Sequence, residues 1–201
     1  MHSGYFPTGI TPYIQDSSGY GHNGSITGTL SLNNNSGRYA SSSYISSTEK
    51  VYITTPNFLF ENMSQGTINI WINRLSTDST WRLYTYFSNG YNWTGNTYDF
   101  IIIGSTGDQK ITLDCCSNTY SFTPDLNKWY MYTITWNLST HEAKMYVNGE
   151  LKATKNSTNI DTTYASKHNN HYFGNGHSTM GDYLLSDARI YATAISAADI
   201  K

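Results

Sequence analysis

Aromatic and amide side chains crowd one polar segment of the chain, residues 81–98, with the sequence WRLYTYFSNGYNWTGNTY. A flat aromatic ring beside amide groups is the chemistry that binds a sugar, because a sugar ring has apolar C–H faces and a rim of hydroxyl groups. The alternative is that the strand aromatics fill the core and the loop aromatics only hold their own loop. The predicted ligand contacts are Trp81, Tyr86, Asn89, Tyr91, Asn92, Trp93 and Asn96.

A second polar segment, residues 168–177, reads HNNHYFGNGH. The spacing His-x2-His-x5-His suggests zinc, but His168 and His171 would point to opposite faces of a strand. A neutral imidazole both donates and accepts hydrogen bonds, so a ligand-binding loop at a sheet edge is the favoured interpretation. His171 and Tyr172 are therefore added to the predicted ligand contacts.

The elements that must position these loops are strands. Residues 128–155 predict a three-stranded meander at 129–137, 142–147 and 150–155, because Asn148-Gly149 is a strong signal for a type I′ hairpin turn. Further strands are predicted at 25–32, 38–46, 49–55, 66–75, 81–87, 98–103, 110–116, 171–174 and 183–191. Short strands with regular turn signals predict an all-β fold, a two-sheet antiparallel β-sandwich or jelly roll.

Within residues 66–75, Ile68, Ile70 and Ile72 alternate with Asn69, Trp71 and Asn73. This alternation predicts a half-buried strand whose outer face is polar except for the tryptophan. Near the end of the chain, Ser196 followed by Asp199 resembles a capping box and predicts one short C-terminal helical turn at 197–201.

Length and charge narrow the possible classes of protein. A chain of 201 residues is expected to form a single domain, 1–201. Its 12 basic and 14 acidic residues are not clustered, which argues against a nucleic-acid surface. No apolar run approaches the 18 or more residues of a membrane span.

Three motifs, in the same order along the chain, carry a resemblance to a known family. They are D-x-S-G-x-G-x-N-G from Asp16, W-Y-x-x-T-x-T followed by M-Y-V-N-G-E-L, and the closing S-D-A-R-I-Y-A-T-A-I-S-A-A-D-I. Over about residues 15–200 the chain resembles laminin G-like, concanavalin A-like jelly-roll domains, of the kind found in bacterial surface proteins and in bacteriophage tail or structural proteins.

The resemblance implies a non-catalytic module that binds cell-surface glycan, as an adhesion domain of a larger surface or virion protein outside the cell. The alternatives are a structural or decoration domain that binds protein partners and a glycoside hydrolase. Hydrolases of this fold place two carboxylates on one strand at i, i+2 or i, i+4, whereas the closest acids here are Asp182 and Asp187.

Members of the family often hold a structural Ca²⁺ where the N-terminal loop meets the end of the chain. In this sequence the resemblance implies Asp16, Asn23 and Asp187 as its ligands, since calcium prefers carboxylate and carbonyl oxygens. The alternative is an Asx-turn, in which Asp16 bonds the backbone two residues on.

Overall fold

The structure, a computed structural model, describes residues 13–28, 31–33, 42–45, 52–54, 63–77, 82–88, 99–105, 111–115, 118–156, 170–174 and 182–200. Within these ranges the regular structure is all β, in agreement with the predicted class. The strands are β1 (Tyr13–Ile14), β2 (Gly24–Thr27), β3 (Ser31–Asn33), β4 (Ser42–Ile45), β5 (Tyr52–Thr54), β6 (Gln65–Arg74), β7 (Arg82–Ser88), β8 (Asp99–Ser105), β9 (Ile111–Cys115), β10 (Asn118–Phe122), β11 (Trp129–Asn137), β12 (Glu142–Val147), β13 (Glu150–Asn156), β14 (Asn170–Gly174) and β15 (Tyr183–Tyr191).

The strands form two antiparallel sheets. The eight-stranded sheet has the order β1-β2-β5-β14-β7-β8-β9-β10, and the seven-stranded sheet has the order β13-β12-β11-β6-β15-β4-β3. The main hydrophobic cluster draws on both sheets, with Ile68, Ile70, Tyr132 and Trp136 from the seven-stranded sheet and Phe173 from the eight-stranded one. The predicted β-sandwich is therefore confirmed.

The predicted meander is present as β11, β12 and β13. Asn148 and Gly149 have φ angles of 52° and 79°, which are the positive values that a type I′ turn requires. The Asn148 side chain also extends the pairing, because its Oδ1 accepts a hydrogen bond of 2.8 Å from the amide of Met131 on β11. The turn residues thus set the register of the hairpin and hold its tip against the neighbouring strand.

The prediction of a half-buried β6 is wrong. Ile68, Ile70 and Ile72 do face the core, but Asn69 and Asn73 on the other face are also buried, at 7% and 6% exposure. Asn69 is satisfied by donating a hydrogen bond of 2.6 Å from Nδ2 to Oγ1 of Thr133 on β11. Strand alternation identifies the two faces, but it cannot show that another part of the chain covers the second one.

Part of that cover comes from residues 192–200, the closing segment. Ile200 is buried against Met131 and Tyr146 on the outer face of the seven-stranded sheet, and Trp71 and Ile195 pack against the same cluster. The segment is also tied to β6 through the hydroxyl of Thr67, which donates 2.7 Å to the carbonyl of Thr193 and accepts 3.0 Å from the amide of Ile195.

The predicted C-terminal helical turn is a hydrogen-bonded turn instead. The amide of Asp199 donates to the carbonyl of Ser196 at 3.0 Å, and the Ser196 hydroxyl donates to the Asp199 carboxylate. Because the Ile200 side chain is buried against the sheet, the chain packs onto the sheet directly after Asp199. Only this one turn forms ahead of Ile200.

Two further differences concern strand boundaries. The strand predicted at 25–32 is divided into β2 and β3, and Gly28 has a φ of 83°, a value at which extended pairing stops. β10 was missed, although its alternating Tyr120 and Phe122 pack against the core.

No helix in the described part of the chain has the length and apolar character needed to cross a membrane.

Candidate functional site

The two segments predicted to bind ligand meet on neighbouring strands of the eight-stranded sheet. Tyr86 on β7 lies opposite Tyr172 on β14. Ser88, the last residue of β7, lies opposite Asn170, the first residue of β14, and His171 follows it. The chain therefore leaves β7 and enters β14 at the same end of the sheet. The other predicted contacts lie outside the described residues: Trp81, Asn89, Tyr91, Asn92, Trp93 and Asn96.

The loop between β1 and β2 lies at this same end. Ser25 of β2 and Tyr172 of β14 are level with each other, because both pair with Thr54 of β5. The β1–β2 hairpin closes one position further along, where Ile14 pairs with Gly24. We call this end of the eight-stranded sheet, where β1 and β7 finish and β2 and β14 begin, the loop end.

The Asp16 carboxylate organises the β1–β2 loop. Its Oδ1 accepts 2.8 Å from the amide of Ser18, and its Oδ2 accepts 2.6 Å from the Ser18 hydroxyl and 3.0 Å from the amide of His22. Asn23 closes the loop, since its Oδ1 accepts 2.9 Å from the amide of Asp16. This arrangement contains the Asx-turn that the sequence offered as the alternative to a metal site.

These hydrogen bonds predict an acidic titration of the loop. The pKa of Asp16 is lowered from its ordinary value of 3.8, because the hydrogen bonds stabilise the charged carboxylate. The Ser18 hydroxyl makes the largest contribution, and the amides of Ser18 and His22 make the next largest. The stabilisation is therefore present at neutral pH and is lost as the pH falls below 3.8 through the lower pKa of the folded state. The amide proton shift of Ser18, followed by NMR, is expected to titrate with a midpoint below 3.8.

Asp16→Asn is the control for this titration, because it removes the ionisable group while keeping an oxygen acceptor. The acidic step in the Ser18 shift should disappear in that variant. A midpoint at or above 3.8 in the unmodified protein would contradict the hydrogen bonding of the loop.

The loop presents an aromatic residue that the sequence analysis passed over. Tyr20 is 80% exposed, and its ring is stacked on the imidazole of His22 with a centroid separation of 5.9 Å and an interplanar angle of 14°. Gly19 and Gly21 on either side have φ angles of 91° and 74°. The sequence does carry a signal for this residue. Tyr20 stands between two glycines in a polar loop, and an aromatic side chain in such a tight turn has no core to pack against.

Asp187, the third predicted calcium ligand, is in the other sheet. It lies at a bulge of β15 with a φ of 49°. Its two carboxylate oxygens are each 2.7 Å from the guanidinium of Arg189, one from Nε and one from Nη2. The hydrogen bond that Arg189 donates to the Asp187 carboxylate is the main reason that the pKa of Arg189 is raised.

The calcium site stays a prediction. Both carboxylate oxygens of Asp16, Oδ1 of Asn23 and both oxygens of Asp187 interact with N–H or O–H groups of the protein itself. Nowhere in the described ranges do three His, Cys, Asp or Glu side chains come together closely enough to hold a metal ion. His168 and His177 of the zinc alternative lie outside those ranges.

A small cleft opens beside the closing segment, lined by Asn69, Trp71, Met131, Asp187, Arg189, Tyr191, Ile195 and Asp199. Its cavity volume is about 20 Å³. A single water needs at least roughly 10–15 Å³, so the cleft has room for about one water molecule and is too small for a sugar ring. The loop end is therefore the better candidate for a ligand site.

Comparison with solved structures gives matches among botulinum neurotoxin binding domains. One is from botulinum neurotoxin type C, whose cell entry depends upon interaction with two ganglioside molecules; it is 19% identical with a TM-score of 0.64 and covers 94% of this chain and 49% of that chain. Another, the binding domain of botulinum neurotoxin DC in complex with rat synaptotagmin II, is 18% identical with a TM-score of 0.65 and the same coverage.

A third, the serotype G binding domain, is 17% identical with a TM-score of 0.63 and covers 92% of this chain and 46% of that chain. The chain thus spans about half the length of these structures. At sequence identities this low, the similarity shows that the fold is shared and nothing more. A search of curated protein sequences finds no match. The family model described as the concanavalin A-like lectin/glucanases superfamily, a laminin G-like model, matches residues 47–201, and the chain therefore belongs to that family.

Proposed function

We propose that this chain is a non-catalytic carbohydrate-binding or adhesion module that recognises cell-surface glycan at the loop end of its eight-stranded sheet. The observation that carries this proposal is the pairing of β7 with β14, which joins two segments rich in aromatic, amide and imidazole groups. The similar toxin domain whose parent interacts with gangliosides supports the choice of glycan as the ligand class. The module would act in a larger surface or virion protein, outside the cell.

The spacing of the acidic residues supports a binding role over a hydrolytic one, although the family name covers both lectins and glucanases. Glycoside hydrolysis requires two carboxylates that are free to act on either side of one bond. Hydrolases of this fold place the two carboxylates on one strand at i, i+2 or i, i+4, and no two acidic residues of this sequence lie that close, the nearest being Asp182 and Asp187.

A protein ligand is the second candidate. The similar binding domain in complex with rat synaptotagmin II shows that one relative of this fold takes a protein partner. Under this alternative the chain would be a structural or decoration domain that assembles with other proteins or with copies of itself.

A glycan array of bacterial and host polysaccharides tests the proposal, with Trp93→Ala as the site variant. Binding by the unmodified protein and a roughly fivefold loss in Trp93→Ala are expected, because removal of an aromatic platform costs about 1 kcal/mol of stacking. The melting temperature should stay almost unchanged, since the proposal places Trp93 at the ligand and not in the core.

Leu151→Ala is the matched control, because Leu151 is 47% exposed on β13 at the edge of the other sheet. It should bind the same glycans as the unmodified protein. A large fall in melting temperature for Trp93→Ala would show that the residue belongs to the core. No binding on the array, together with self-association in light scattering, would favour the structural alternative, and release of reducing ends from the polysaccharides would favour the hydrolase.

A further inference from the structure

We infer that Tyr20 is a second carbohydrate-stacking contact, and that the loop end binds an oligosaccharide across several strands instead of a single sugar. This inference rests on the proposed function and extends it to a residue outside the two segments on which that proposal was built. Three observations carry it: the exposure of the Tyr20 ring, the hydrogen bonds that hold its loop, and the position of that loop on the sheet.

Tyr20 is 80% exposed, whereas the tyrosines of the core, Tyr132 and Tyr183, are completely buried. A ring this exposed contributes almost nothing to the core, so its packing does not explain its position. One ring face is stacked on His22 at 5.9 Å. An exposed aromatic ring braced from one side is the kind of flat apolar surface on which the C–H face of a sugar stacks.

The loop is held in place before any ligand arrives. The Asp16 carboxylate accepts hydrogen bonds from residues on both sides of Tyr20, from Ser18 and from the amide of His22. The amide of Tyr20 itself donates 3.3 Å to the Ser18 hydroxyl. A ring carried on a fixed backbone loses less conformational entropy on binding, and this increases the affinity that a stacking contact yields.

The polar groups of the same loop suit a polyhydroxylated ligand. Asn23 is exposed, and its Oδ1 accepts the hydrogen bond from the Asp16 amide. The Nδ2 group of the same side chain carries two donors for the hydroxyl rim of a sugar. Tyr20 also carries a phenolic hydroxyl that donates and accepts.

Position determines the size of the ligand. β2 and β7 are separated by β5 and β14, so three strand spacings lie between them. At about 4.8 Å for each spacing, the β1–β2 loop that carries Tyr20 and the end of β7 at Ser88 are roughly 14 Å apart. This distance exceeds the width of one sugar ring, so a ligand that contacts both must contain several.

The experiment uses photo-CIDNP NMR, which detects tyrosine rings open to solvent, together with dissociation constants for array-positive oligosaccharides and their monosaccharide units. The exposed Tyr20 ring should give a strong signal that disappears in Tyr20→Phe and that is suppressed when the oligosaccharide binds. Tyr20→Ala should weaken oligosaccharide binding roughly three- to tenfold by loss of stacking. Tyr20→Phe, which keeps the ring, should stay within about twofold.

The two proposals can fail separately. If the unmodified protein binds the oligosaccharide and Tyr20→Ala binds it equally well, or if the Tyr20 signal is unchanged by the ligand, the inference is overturned while the proposed function stands. If Tyr20→Ala weakens binding but Trp93→Ala does not, Tyr20 is a contact and the site proposed around residues 89–97 is wrong. Equal monosaccharide and oligosaccharide affinities would overturn the extended site.

Discussion

Gly66→Ala is expected to lower the free energy of unfolding by about 3 kcal/mol, a large effect for the addition of one methyl group to a core. Gly66 on β6 lies directly opposite Trp136 on β11. A Cβ atom at this position would lie 2.5 Å from Cη2 of Trp136 and 2.8 Å from Cε of Met63, both closer than side chains tolerate. Because Trp136 is only 1% exposed, its indole has no free space into which it can move.

Urea denaturation measures this effect, and Trp136→Leu supplies the control. In the Trp136→Leu background the clash with the indole is gone, and Cε of Met63 is the end of a flexible side chain that can move aside. Gly66→Ala should therefore cost less than about 1 kcal/mol there, and the pair should be strongly non-additive. Equal costs in the two backgrounds would show that the destabilisation arises from the backbone and not from the indole.

Ile200→Ala is expected to cost about 2–4 kcal/mol, because it removes most of a side chain that is 1% exposed and leaves a cavity against Met131 and Tyr146. The same change should release the closing segment locally. Hydrogen exchange of the Ile195 amide, which donates to the Thr67 hydroxyl, reports this release directly.

Leu151→Ala is again the control, since its exposed side chain should contribute less than about 0.5 kcal/mol. If Ile200→Ala changed neither the urea midpoint nor the exchange of the Ile195 amide, the closing segment would be dispensable for the stability of the sheet that it covers.

Several parts of the fold were predictable because their causes are local. Asn148-Gly149 has the backbone freedom for one type of turn, and that turn determines which residues of β12 and β13 are opposite each other. The alternation of Ile68, Ile70 and Ile72 likewise identifies one buried face of a strand. Both signals depend only on residues close together in the chain.

The candidate site was predictable only in pieces. The aromatic and amide composition of residues 81–98 and the polar segment 168–177 could be recognised separately, because each carries its own side chains. Their meeting could not, because the pairing of Tyr86 with Tyr172 joins strands separated by most of the second half of the chain. Tyr20 was overlooked for a related reason, since solvent exposure depends on everything that surrounds a residue and not on the residue type.

The sequence by itself determined the fold class of this protein: its short alternating strands and turn residues specify an all-β sandwich, because backbone propensity and side-chain period act over a few residues. Its three ordered motifs carry the resemblance to laminin G-like domains. The tertiary structure alone decided which loops share an end of the sheet and that the closing segment covers the outer face of β6. It also decided that the Asp16 carboxylate binds its own loop. These outcomes depend on contacts between residues far apart in the chain, which no local pattern encodes.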